Sequence, residues 1–126
     1  MDTDKHGLNE VTDRIIGCAY AVGNTLGCGF LEKVYENALV HELRKAGLTV
    51  EQQKQIQILY DGVLVGEYVA DLIVNSAILV KAKAVKMLDD VHFAQCLNYL
   101  RATKRNLCLL INFGSPRIAV KRIIND

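Results

Sequence analysis

The sequence predicts an α/β fold, with a mixed central β-sheet flanked by helices. Three observations predict it: two stretches of helical apolar spacing open the chain, three strand-like runs joined by short turns follow, and a third helical stretch precedes a final apolar strand. At 126 residues and 51% hydrophobic composition, residues 1–126 are expected to form a single domain around one core of ordinary size.

Each element has its own signature. From residue 9 to 26, Val11, Ile15, Cys18, Ala19, Val22 and Leu26 recur at helical intervals, and Gly27-Cys28-Gly29 stops the pattern as a C-cap would. Leu31, Val34, Tyr35, Ala38, Leu39 and Leu43 repeat the spacing until Ala46-Gly47. Residues 50–59 read as a strand in their later part, where Ile56 and Ile58 alternate with Gln55 and Gln57, and Tyr60-Asp61-Gly62-Val63 supplies a hairpin turn. Partner strands are predicted over 63–74 and 78–85. Asp89-Asp90 begins a third helix whose apolar stripe is Phe93, Leu97 and Leu100, with His92, Gln95 and Tyr99 on another face. Residues 107–113 are almost continuously apolar, which suits a sheet interior; residues 118–124 are either an edge strand or a short closing element.

Parity places two charged residues together. Side chains alternate along a strand and opposed residues of an antiparallel pair share a face. A three-residue loop, Asn75-Ser76-Ala77, pairs Val74 with Ile78 and therefore sets Asp71 opposite Lys81; a two-residue loop would put them on opposite faces. Lys83 shares the strand face of Lys81. A carboxylate in an apolar strand needs a cation or several donors, so Asp71 marks either a functional site or a salt bridge to Lys81 or Lys83.

Composition narrows the function classes. Apolar stretches are interrupted before the ~18 residues of a membrane span, and the first residues lack a basic and apolar leader pattern, so a soluble, cytoplasmic protein with no membrane partner is expected. Cys18, Cys28, Cys96 and Cys108 show no metal spacing and are expected to be reduced, buried thiols. A net charge of +1 gives no global attraction to nucleic acid, which leaves a local patch. Arg101, Lys104, Arg105, Arg117, Lys121 and Arg122 are either solvated surface or such a patch.

Gly29-Phe30-Leu31-Glu32-Lys33-Val34-Tyr35 resembles the signature of the GxxExxY proteins, placed in the PD-(D/E)XK nuclease superfamily, and Gln95-Cys96-Leu97-Asn98-Tyr99 resembles the Q-x-x-x-Y element of its RecB-like members. The resemblance runs from about Val11 to Ile124. It implies a restriction-endonuclease-like core and phosphodiester hydrolysis of DNA with Mg²⁺ or Mn²⁺, hard ions that prefer oxygen ligands. It further implies that Asp71 and Glu32 bind the metal, that Lys83 orients water or stabilises charge on the phosphoryl oxygens, and that Gln95 and Tyr99 contact phosphate or fix Lys83. Lys81, Arg101, Lys104 and Arg105 are the expected nucleic-acid contacts, and a homodimer is implied by the resemblance alone.

One residue departs from that pattern. Lys81 stands where such nucleases carry the glutamate of Glu-x-Lys. Two unit charges ~4 Å apart interact by roughly 4 kcal/mol at an effective dielectric near 20, so an ammonium in place of a carboxylate turns attraction for a dication into repulsion. The expectation is a Lys81 ammonium lying between Asp71 and Glu32 as a built-in cation. Three functions then remain: an active or residually active metal-dependent nuclease, a catalytically dead relative that binds nucleic acid or a protein partner through the same cleft, or an otherwise intact enzyme changed at position 81 by engineering or by error.

Overall fold

A computed structural model describes residues 2–125. The order is α1 (Asp2–Leu26), α2 (Glu32–Lys45), β1 (Val50–Tyr60), β2 (Val63–Val74), β3 (Ile78–Lys83), α3 (Asp90–Thr103), β4 (Leu107–Asn112) and β5 (Ala119–Ile124). The five strands form one sheet in the order β1-β2-β3-β4-β5. Every pairing is antiparallel except β3–β4, which is parallel and spanned by α3. A mixed sheet flanked by helices is therefore what the chain forms, and residues 119–124 are its edge strand.

Alternation along the inner strands feeds two cores. Leu72, Val74, Ile78, Val80, Ala82, Leu109 and Ile111 face α1 and α2, whose Ile15, Ala19, Val22, Tyr35, Leu39 and Leu43 are buried against them. Ile73, Leu79, Cys108 and Leu110 face α3 and enclose Cys96 and Leu100. The stripe of α3 thus runs through Cys96 rather than Leu97: a buried cysteine behaves as a small hydrophobe, and it lies one turn before Leu100. Cys18 is half-buried and Cys28 exposed, so only Cys96 and Cys108 meet the expectation of burial; all four are free thiols.

The turn between α1 and α2 is built by the glycine-rich segment and a tyrosine. Gly27 and Gly29 have φ of 68° and 115°, left-handed values that a side chain would strain. The buried Tyr35 hydroxyl donates to the Gly27 carbonyl at 2.5 Å and accepts from the Phe30 N–H at 3.2 Å, while its ring stacks on Phe113 with centroids 4.9 Å apart. This pins the start of α2 to the end of β4.

The segment after β3 is held by Asn112, which is 1% exposed. Its Oδ1 accepts from the N–H groups of Val85 and Gly114, both at 3.0 Å, and its Nδ2 donates to the Val85 carbonyl at 2.8 Å. Asp89 then caps α3, as predicted. Its Oδ1 accepts from Val91 N–H at 3.0 Å, and the Asp89 N–H donates to His92 Nδ1 at 3.1 Å, so His92 completes a capping box.

Candidate functional site

The loop Asn75-Ser76-Ala77 contains three residues and Val74 pairs with Ile78, the register that sets Asp71 opposite Lys81. Lys81 Nζ lies 3.6 Å from Asp71 Oδ2, with both side chains largely buried. The ion pair is too long for a hydrogen bond, and among the described residues Oδ2 has no hydrogen-bond partner. Burial pushes the Asp71 carboxyl above the ordinary aspartate range; Lys81 pulls it down, Glu36 raises it further, and the Ala82 N–H lowers it. Lys81 Nζ is also 5.7 Å from the centre of the Tyr99 ring, which stacks on Tyr68 at 3.5 Å. Desolvation, then the neighbouring Tyr99, keeps the Tyr68 hydroxyl protonated far above its usual range.

The acid that influences Asp71 from α2 is Glu36, not Glu32. Glu32, the first residue of α2, makes no hydrogen bond or ion pair to Asp71, Lys81 or Lys83 among the described residues, so the expected place of Lys81 between Asp71 and Glu32 is corrected. Glu36 is one turn further along and 3% exposed. Its Oε2 accepts from Gln52 Nε2 at 2.6 Å, Gln53 Nε2 at 2.9 Å and Lys33 Nζ at 3.1 Å. Two consecutive strand residues normally point to opposite faces. Here Gln53 has φ 56°, a left-handed conformation that lets both amides reach one oxygen. The β1–β2 ladder omits the Gln53–Asp71 pair, and on β2 Ala70 packs on the α3 side while Leu72 packs on the α2 side. Asp71 occupies the bend.

The other expected residues are dispersed around this centre. Lys83 lies two residues beyond Lys81 and makes no ion pair among the described residues. Tyr99 meets Lys81 rather than Lys83, and Gln95 is exposed on α3. Arg101 in the last turn of α3, its C-cap Lys104 and the following Arg105 shortly precede Leu107, which pairs with Ile78; they therefore lie toward the opposite end of β3 from Lys83.

This sheet order, with an acid at the bend of β2 and a lysine on β3, coincides with a sequence match over residues 9–123 to the PD-(D/E)XK nuclease superfamily. The chain belongs to that superfamily. No curated protein and no solved structure matches it.

PD-(D/E)XK nucleases generally use Mg²⁺ or Mn²⁺, and the donor set can be tested against that requirement. Among the described residues no group of three or more His, Cys, Asp and Glu side chains is disposed to hold a metal ion. Asp71 Oδ2 faces an ammonium, and Glu36 Oε2 is engaged by three donors. As arranged, these residues do not fit a divalent ion.

Glu36, Gln52 and Gln53 went unread in the sequence. A signal for Glu36 existed: it precedes Val40 and Leu43 by four and seven residues, within the apolar stripe of α2, where an unpaired carboxylate is costly. Nothing local announces the left-handed Gln53.

Proposed function

We propose that this chain is a GxxExxY-type nuclease relative, descended from metal-dependent DNA phosphodiester hydrolases, whose hydrolytic centre is impaired by Lys81. The observation that carries this reading is the ion pair between Lys81 Nζ and Asp71 Oδ2 at 3.6 Å. An ammonium there competes with any cation for an Asp71 oxygen that has no hydrogen bond among the described residues. Glu36, held by Gln52, Gln53 and Lys33, is the α2 carboxylate whose charge bears on Asp71. Lys83 is the free cation for a phosphoryl oxygen, with Tyr99 fixing Lys81 and Gln95 at the outer rim.

The test compares this chain with Lys81→Glu on single- and double-stranded DNA in Mg²⁺, Mn²⁺ or EDTA. The variant is expected to cleave at least about tenfold faster than the parent, equivalent to about 1.4 kcal/mol of barrier, and only with metal. Equal cleavage by both would overturn the argument that Lys81 impairs the centre.

A second reading is favoured by one observation, that Lys83 has no acidic partner among the described residues while Lys81 sits on the same strand face. In it the chain holds nucleic-acid phosphates without hydrolysing them. Cleavage by neither protein, with DNA binding that is weakened by salt and indifferent to EDTA, would establish it over the first.

A further inference from the structure

A cavity of about 370 Å³ opens between the second half of α1 and the loop that joins β4 to β5. Tyr20, Gly23 and Asn24 supply its helix side, and Pro116, Arg117 and Ile118 its loop side. Gly23 permits the close approach of the two, because a Cβ there would lie 2.6 Å from Ile118 Cγ2. Tyr20 and Asn24, four residues apart, stand one above the other on the same face of the helix. The loop is braced by the chain's single proline, and the Ser115 hydroxyl donates to the Arg117 carbonyl at 2.7 Å.

The walls suit an anion that carries a ring. Among the described residues, Arg117 is the only charged group lining the cavity, and it makes no ion pair. Tyr20 is 44% exposed, and Asn24 beside it offers both a donor and an acceptor. Guanidinium, aromatic ring and amide are the groups that engage the phosphate, the base face and the base edge of a nucleotide. In a second cavity, between α1 and α2, the Lys45 ammonium is already paired with Glu42 at 3.0 Å. The first cavity also lies at the end of the sheet that carries Lys83. Phe113, which follows β4, donates its N–H to the Lys83 carbonyl at 2.8 Å, and its ring is 4.0 Å from where a Cβ on Gly23 would sit. Val80 and Ala82 face α1 and α2, so Lys83 faces the α3 side, and a strand that meets both Lys83 and the cavity passes over the end of β3.

We propose that this cavity takes one unpaired nucleotide of a DNA strand that runs on toward Lys83, with its base on the Tyr20 ring, its base edge on Asn24 and its phosphate on Arg117. This rests on the nucleic-acid reading proposed above and adds that the bound strand is single. The volume selects an unpaired nucleotide: it lies at the low end for small-molecule sites, with room for one nucleotide and not for a base pair. Stacking on a side-chain ring is open only to a base that has left its own stack.

The test uses the full chain carrying Tyr20→Trp. The parent has no tryptophan, so the emission reports this position alone, and the exposure of Tyr20 is expected to leave circular dichroism unchanged. The probes, in EDTA, are a short oligothymidylate, a blunt duplex of the same length, thymidine monophosphate and inorganic phosphate, with anisotropy of labelled DNA following binding separately. The single strand is expected to quench the emission saturably, while the other three leave it unchanged at the same concentration. Arg117→Gln in this background is expected to reduce the slope of log affinity against log salt by about 0.7, the share of one phosphate on a single strand. Tyr20→Ala is expected to weaken single-strand binding about tenfold, within the range of one stacked base. Binding by anisotropy with unchanged emission would place the strand elsewhere and overturn the proposal while leaving the proposed function standing. Equal quenching by duplex, monophosphate or phosphate would overturn the unpaired strand as occupant. No DNA binding by anisotropy would overturn the phosphate-holding reading and this proposal with it.

Discussion

Asp71 is held in the folded chain with its carboxyl above the ordinary aspartate range, mainly because burial penalises the charged form more than Lys81 favours it. The folded chain then binds that proton more tightly than the unfolded chain. Its stabilising contribution is complete below the unfolded pKa and is lost as pH rises through the folded one. Urea denaturation across the acidic range should therefore show the parent losing stability with rising pH relative to Asp71→Asn. A constant offset, from leaving Lys81 without its partner, adds to this slope without producing it. A difference that is flat with pH would mean that Asp71 ionises as it does in the unfolded chain. The pairing of Asp71 with Lys81 was legible because one loop length fixes the parity of two strands. The involvement of Glu36 was not, because it depends on the left-handed Gln53, which breaks the period of two on which strand reading rests.

At the scale of elements, the helices and hairpins followed from apolar spacing and turn residues, and the Asp89 cap from one acidic pair. The parallel partner of β3 did not: residues 107–112 announce a buried strand but not which neighbour they join. That join depends on a close approach of two loops. A Cβ on Gly114 would lie 2.3 Å from the Val85 carbonyl oxygen and 2.4 Å from its nitrogen, both backbone atoms. Gly114→Ala is expected to destabilise the chain by about 1–3 kcal/mol, the range of overpacked sites, and more if the Asn112 hydrogen bonds to Val85 are lost with it. Thermal unfolding reads this directly. An unchanged midpoint would show that the two loops separate without cost. The Tyr35 contacts give residues 27–35 a related meaning: Gly27, Gly29 and Tyr35 build the α1–α2 turn, and Glu32 makes no described contact with Asp71.

For the whole molecule, the parallel β3–β4 ladder imposes an order on folding. β1, β2 and β3 are joined by a tight turn and a three-residue loop, and their pairing closes short loops. β4 reaches β3 only after residues 84–106 have been wound through α3, so this contact closes a longer loop and forms later. During that interval the apolar strand Ile78–Lys83 has one edge free, and collisions between chains compete with the arrival of β4. Refolding by dilution from urea should accordingly lose yield to light-scattering aggregates as protein concentration rises. A yield independent of concentration would show that β4 is in place before the open edge meets another chain.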